Sequence, residues 1–243
     1  MRGRRVAAGA ALVSLLAAAC LPAPATTEAR DIASLYTIFL AAAAVVAAIV
    51  LGLATWSVIR YRAGRTSGPG GAGATDDLPP QTHGNTRLEI LWTVVPAVTI
   101  AVLFGFTLVT LARVDKVDPV EPARGAEIEV TAFRWGWTFT YPAEGISVSG
   151  FQEPGPEVVV PVGEPITVRL DSADVVHSFY VPRFLFKRDV VPGRQNVFQF
   201  TVEEAGSYGG QCAEFCGLYH ARMPFTIRAE SRSVYEAWLA AQR

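Results

Sequence analysis

The sequence predicts two membrane-spanning helices followed by an all-β sandwich or barrel that ends in a short helix. Three observations carry this. Residues 32–59 contain no charged side chain, and residues 88–111 contain one, Glu89. Beyond Val114 the pattern changes to short runs of alternating apolar and polar residues separated by turn signals. Hydrophobic residues make up 51% of the chain and charged residues only 18%, too apolar a balance for a wholly soluble protein of 243 residues.

The first 25 residues read as an export signal. Arg2, Arg4 and Arg5 form a positive start, and residues 6–19 form an apolar run. That run has spanning length for only about half a bilayer, so a third membrane helix is the weaker reading. Ala23-Pro24-Ala25 supplies small residues for cleavage. Leu16-Ala17-Ala18-Ala19-Cys20 also resembles a lipoprotein signal ending before Cys20, with the leucine one position further from the cysteine than usual. Lipidation and ordinary cleavage both stand, and either puts the mature N-terminus outside the cytoplasm.

The first helix is expected over residues 32–59. At about 1.5 Å per residue this stretch reaches roughly 42 Å, enough to cross a ~30 Å hydrocarbon core with tilt. The second is expected over 88–111, where Pro96 is tolerable because neighbouring helices can satisfy the freed carbonyl. The Gly- and Pro-rich loop between them, 60–87, holds four arginines (Arg60, Arg62, Arg65, Arg87) against Asp76 and Asp77. Positive loops stay cytoplasmic, so the first helix runs inward, the second outward, and the rest lies outside. The export signal leads independently to the same orientation. Glu89 falls in the first turn of the second helix. There it is either a carboxylate favoured by the helix dipole or a proton-handling group at the membrane edge.

In the exported domain, Glu127-Ile128-Glu129-Val130-Thr131 alternates with period two. Trp135-Gly136-Trp137-Thr138-Phe139-Thr140-Tyr141 does so with an aromatic at every odd position. Residues 165–170, 197–202 and 224–227 also read as strands. Glu153-Pro154-Gly155-Pro156 and Pro192-Gly193 mark turns. Together these predict an antiparallel sandwich or barrel. Residues 233–242 predict the closing helix, with Val234, Trp238 and Leu239 available for one face. Residues 113–243 carry 13 basic and 17 acidic side chains, a net of −4. That balance suits a basic protein partner rather than nucleic acid, although it is also ordinary for a domain of this size.

The densest chemistry is Cys212-Ala213-Glu214-Phe215-Cys216-Gly217-Leu218-Tyr219-His220-Ala221-Arg222-Met223. Two thiols, an imidazole and a thioether within one loop point to a soft metal. A weak methionine beside Cys and His favours electron-transfer copper over structural zinc. His177 is the only other histidine of the exported domain. Blue-copper sandwiches take one His from an early strand and a Cys-His-Met set from a late loop, and this chain adds a second cysteine. Two bridging thiolates could therefore hold two copper ions, each capped by one histidine. The competing readings are a Cys212–Cys216 disulfide, since exported cysteines oxidise, and a thioredoxin-like copper chaperone, whose alternating strands and helices the β pattern opposes.

These residues resemble cytochrome c oxidase subunit II over nearly the whole chain. Four blocks carry the resemblance: His83-Gly84-Asn85 through Leu88-Glu89-Ile90-Leu91-Trp92-Thr93 to Pro96, the aromatic stretch 135–141, the region 174–194 with His177-Ser178-Phe179 and Pro192-Gly193-Arg194, and the loop 212–223. The resemblance implies a cupredoxin-like domain with a binuclear copper A centre. Cys212 and Cys216 would bridge the coppers, His177 and His220 would be terminal ligands, and Met223 and the Glu214 carbonyl would be weak ones. It also implies a magnesium ion reached by the Glu214 side chain at the interface with subunit I. Trp135 would be where electrons arrive from cytochrome c, and Glu89 would lie near the mouth of a proton path into subunit I. The implied location is the bacterial cell membrane with the copper domain on the periplasmic side. Gly136 stands where relatives often have an aromatic, and Ala213 where they often have Ser; neither is a ligand. No C-x-x-C-H follows Met223, so no fused cytochrome c domain is expected. The rival functions are a quinol oxidase subunit II, which would lack the copper ligands, and a membrane-anchored copper carrier or sensor, which would not need this second-helix sequence.

Overall fold

A computed structural model describes residues 21–61, 84–119 and 124–243. The expected signal up to Cys20, the loop arginines Arg62 and Arg65, and His83 lie outside the described residues. The chain divides into two compact units: Met1–Leu35 with Val109–Arg243, and Tyr36–Leu108.

Helix α1 spans Thr27–Arg60 and α2 spans Thr86–Val114. Each exceeds its charge-free stretch because polar caps extend it. The Thr26 hydroxyl accepts the Ala29 N–H at 3.0 Å, and the Asn85 side chain accepts the Leu88 N–H at 3.2 Å. Pro96 sits inside α2, where the hydroxyls of Thr93 and Thr99 donate to the Glu89 and Val95 carbonyls at 2.9 Å. Both helices pass the length and hydropathy test for a membrane span. Along them only Ala29 and Val114 are buried, so lipid or partner helices must cover the rest.

The remainder forms ten strands: β1 (Ala126–Phe133), β2 (Gly136–Tyr141), β3 (Ile146–Phe151), β4 (Glu157–Pro161), β5 (Pro165–Ser172), β6 (His177–Val181), β7 (Phe186–Val190), β8 (Asn196–Thr201), β9 (Gly206–Cys212) and β10 (Pro224–Glu230). They pair as two five-stranded sheets, β3-β2-β1-β5-β8 and β4-β10-β9-β6-β7. The sandwich is not purely antiparallel as the sequence predicts. The chain crosses to the second sheet for β4 and returns, so β5 runs parallel to β1 and β10 parallel to β4.

The two sheets meet over aromatic rings. Trp137, Phe139, Phe179 and Phe225 are at most 2% exposed, and Phe179 stacks on Phe225 at 4.7 Å. Gly210 makes room for this packing, since a Cβ there would lie 2.2 Å from the Phe225 ring. Helix α3 (Arg232–Ala241) closes the fold by burying Tyr235 and Leu239, with Trp238 half-buried on Tyr141. Val234, predicted for that face, is 42% exposed, because the helix turns Tyr235 inward instead.

In the second sheet β9 runs antiparallel to both β6 and β10. The start of β6, the end of β9 and the start of β10 therefore share one end of the sandwich. His177 and Cys212 occupy the first two positions, and Met223 immediately precedes the third.

Candidate metal centre

β9 ends on Cys212, and the loop joining it to β10 carries Cys216, His220 and Met223. Gly217 turns it with φ of 118°, in the region that favours glycine, and a Cβ there would lie 3.3 Å from the Trp135 indole. A 3-10 turn, His220–Arg222, then folds His220 back, its N–H bonded to the Gly217 carbonyl at 3.1 Å.

The donor atoms converge. The Sγ atoms of Cys212 and Cys216 lie 3.9 Å apart, far beyond the ~2.05 Å of a disulfide, and both cysteines are free. His177 Nδ1 is 3.9 Å from Cys212 Sγ, and His220 Nδ1 is 3.7 Å from Cys216 Sγ. Met223 Sδ lies 3.9 Å from Cys216 Sγ, and the Glu214 carbonyl 3.2 Å from Cys212 Sγ. Each thiol thus faces the other, one imidazole and one weak donor. Gaps of this size can each be bridged by two ligand bonds of about 2.0–2.3 Å. Two soft thiols, two imidazoles, a thioether and a carbonyl fit copper and exceed what one tetrahedral zinc would need.

Burial and charge polarise the pair. Burial pushes the Cys212 thiol up, but its contacts with His177 and with the Glu214 and Ser178 backbone prevail and lower its pKa. Burial and the neighbouring Cys212 thiolate push the Cys216 thiol up. Burial disfavours a charged His177, yet Cys212 and Asp174 outweigh it and raise its pKa.

Asp174 has no part in the sequence-level ligand set, yet it holds the site together. Its Oδ1 meets His177 Nε2 at 2.8 Å and accepts the Val175 N–H at 2.6 Å. Its Oδ2 accepts the Arg134 N–H at 2.8 Å. Burial works against ionisation, but the bonds from His177, Val175 and Arg134 hold the carboxyl down at about 2. Its position three residues before His177 is the signal that could have found it.

Trp135 does not share a strand with Trp137, as simple alternation implies. Arg134 and Trp135 form the turn between β1 and β2. Trp135 is half-buried, donates Nε1–H to the Cys216 carbonyl at 3.2 Å and meets Tyr219 edge-on at 4.9 Å. Trp137 is fully buried and donates to the Met223 carbonyl at 3.1 Å. Both indoles therefore brace the metal loop. A Cβ on Gly136 would fall 2.3 Å from the Gly150 carbonyl and 2.7 Å from the Phe133 ring, so no larger residue fits between the tryptophans here.

Not every predicted residue joins the cluster. The Glu214 carboxylate turns away from the thiols to Lys187 Nζ at 3.1 Å, while its carbonyl faces Cys212. Glu89 lies exposed in the first turn of α2, in the other unit.

Comparison with known proteins gives one consistent result. Residues 148–230 match the family described as "Cytochrome C oxidase subunit II, periplasmic domain", and residues 14–110 match "Cytochrome C oxidase subunit II, transmembrane domain". The chain is 33% identical to a probable cytochrome c oxidase subunit 2 of Streptomyces avermitilis, over 90% of this chain and 77% of that one. It is 40% identical to cytochrome c oxidase subunit 2 of Alkalihalophilus pseudofirmus, over 68% of this chain and 47% of that one. A crystal structure of the periplasmic domain of cytochrome oxidase subunit II from Bradyrhizobium japonicum aligns with 51% of this chain and 96% of its own, at 33% identity and a TM-score of 0.47.

Proposed function

The chain belongs to the cytochrome c oxidase subunit II family, and on that premise we propose that it takes electrons from cytochrome c and delivers them to the haem centres of subunit I, where oxygen is reduced to water and protons are translocated. The observation that carries this reading is the pair of facing thiols, each with its own imidazole and weak donor. A bound copper pair supplies a one-electron couple shared by two metals, so the charge change is spread and little has to move.

The chain's own residues do the rest. Cys212 and Cys216 would hold the two metals between them, with His177 and His220 as further ligands and Met223 and the Glu214 carbonyl as weak ones. Asp174 accepts the Nε2–H of His177, which fixes the tautomer that presents Nδ1 to the thiols. Trp137 and Phe179 exclude water from the inner side. Trp135 offers its indole to the donor protein and reaches the Cys216 carbonyl from the same ring. The Glu214 carboxylate, paired here with Lys187, would be the group that reaches a magnesium ion at the subunit I interface. Glu89 marks the start of a proton path at the cytoplasmic end of α2. Residues 26–112 form the membrane hairpin, and 113–243 form the periplasmic copper domain.

A copper carrier needs thiols open to its clients. Here Cys212 is 4% and Cys216 6% exposed, which favours a resident metal. The test is electron paramagnetic resonance of the detergent-solubilised full chain after copper loading. Hyperfine structure from one electron shared by two copper nuclei is expected. A single-nucleus spectrum, or zinc held in preference to copper, refutes the proposal.

A further inference from the structure

We propose that Tyr219 is a positioning residue for Trp135, and that its ring fixes the plane in which the indole meets the donor protein. This rests on the reading of Trp135 as the point of electron arrival. Tyr219 itself is neither oxidised nor deprotonated; the one electron that the donor's haem iron loses is the one that the metal centre gains.

The two tryptophans of this end are held in different ways. Trp137 is fully buried, and Phe179 and Phe225 meet its ring at 6.3 and 5.2 Å, so packing alone fixes it. Trp135 is half-buried, and Tyr219 is its one aromatic contact among the described residues. The bond from its Nε1–H to the Cys216 carbonyl, 3.2 Å long, anchors a single atom and leaves the ring free to pivot about it. Gly217 clears the space beside the indole, since a Cβ there would come within 3.3 Å of Nε1 and Cζ2. Tyr219 removes the remaining freedom. Its ring stands at 89° to the indole with centroids 4.9 Å apart, the edge-to-face arrangement in which a positive ring edge meets a negative ring face.

Cys216, Gly217 and Tyr219 all lie between one sulfur of the candidate centre and His220. The loop that gathers the metal donors therefore also orients the indole. The Tyr219 side chain is not needed to shape that loop. Its part in the 3-10 turn is a backbone one, the carbonyl accepting the Arg222 N–H at 2.9 Å. The side chain lies outside the buried core, and among the described residues its hydroxyl has no hydrogen-bond partner, so the ring is the part that acts. A half-exposed indole without this contact would change orientation within nanoseconds, and a docked partner would meet a mixture of poses. Misplacement by about 1 Å is enough to slow a reaction that depends on fixed geometry.

The test uses the full chain in detergent. In the copper-free chain, isotope-labelled tryptophan gives five indole N–H signals by NMR, and Trp135→Phe identifies the one from Trp135. Tyr219→Leu should make that N–H exchange with solvent about 2- to 10-fold faster, the range an aromatic pair supports. Tyr219→Phe should exchange as the wild type does. In the copper-loaded chain, Tyr219→Leu should lower the limiting rate of stopped-flow reduction by cytochrome c by a similar factor, and Tyr219→Phe should restore it. Both coppers, the half-saturating donor concentration and the rate of reduction by hexaammineruthenium(II), which docks no protein, should stay unchanged. An unaltered Trp135 exchange rate in Tyr219→Leu overturns the proposal. So does loss of copper or slower reduction by hexaammineruthenium(II) in that variant, since either makes Tyr219 a prop of the metal loop. A normal cytochrome c rate for Trp135→Ala overturns instead the reading of electron arrival, which the copper-free measurement does not touch.

Discussion

At the scale of the residue, the ligands of the candidate centre differ in rank. The thiols of Cys212 and Cys216 face each other at 3.9 Å, so each can serve two metals, whereas Met223 lies beside one of them. Cys216→Ser should therefore abolish the two-metal spectrum. Met223→Leu should keep both coppers and shift the reduction potential, because a thioether is a weak axial donor. Loss of copper stoichiometry in both variants would contradict that ranking. Asp174 sets a second test. Its carboxylate, held at about 2 by three donors, stays charged against His177 and strengthens the imidazole as a donor. Asp174→Asn should weaken copper binding about 10- to 100-fold and raise the reduction potential. A competition titration and redox titration of the copper absorbance would read both; unchanged values would reduce Asp174 to a turn former.

Among the elements, the metal loop depends on the strands that launch it. β9 ends on Cys212 and lies between β10, which begins after Met223, and β6, which begins on His177. The β1–β2 turn covers this end with Trp135, and β2 sends Trp137 beneath it. At the far end, β4 is held by a side chain: the Tyr141 hydroxyl donates to the Val159 carbonyl at 2.7 Å and accepts the Val159 N–H at 3.1 Å. Tyr141→Phe leaves both groups buried without that partner and should cost about 1–3 kcal/mol. Urea denaturation of the copper-free chain measures this, and the copper spectrum of the variant should stay normal because the change is remote from the ligands. In α2, Glu89→Gln in the assembled oxidase should slow turnover while reduction of the copper centre proceeds at its usual rate, since a carboxylate at a membrane edge is costly to keep without a role. Normal turnover across pH would return Glu89 to a helix-end charge.

For the whole molecule, charge and membrane topology act together. Residues 113–243 carry a net of −4, so a basic donor should approach faster at low salt. The indole of Trp135 acts at contact range and is insensitive to ionic strength. Stopped-flow reduction by cytochrome c should accordingly be slower for Trp135→Ala at both low and high salt, with both coppers still bound. Removal of a surface acid should matter mainly at low salt. A normal rate for Trp135→Ala would move the point of electron arrival elsewhere on this face.

The sequence by itself determined the class of the fold, the two apolar helices, the strands with clean alternation such as β1 and β2, and the side chains that converge at the candidate metal centre. Those features are local: periodicity, length and ligand spacing are written in consecutive residues. Strands without alternation escaped it. β4 buries Val158, Val159 and Val160 in a row, β9 is built largely of glycine and polar residues, and β7 begins Phe-Lys-Arg-Asp. Their pairing comes from neighbours distant in the chain. Only the tertiary structure decided that β1 and β5 run parallel, that Phe133 fills the space beside Gly136, and that Asp174 joins Arg134 to His177. Each of these depends on which surfaces meet after collapse, and contacts between residues dozens of positions apart leave no period in the sequence to read.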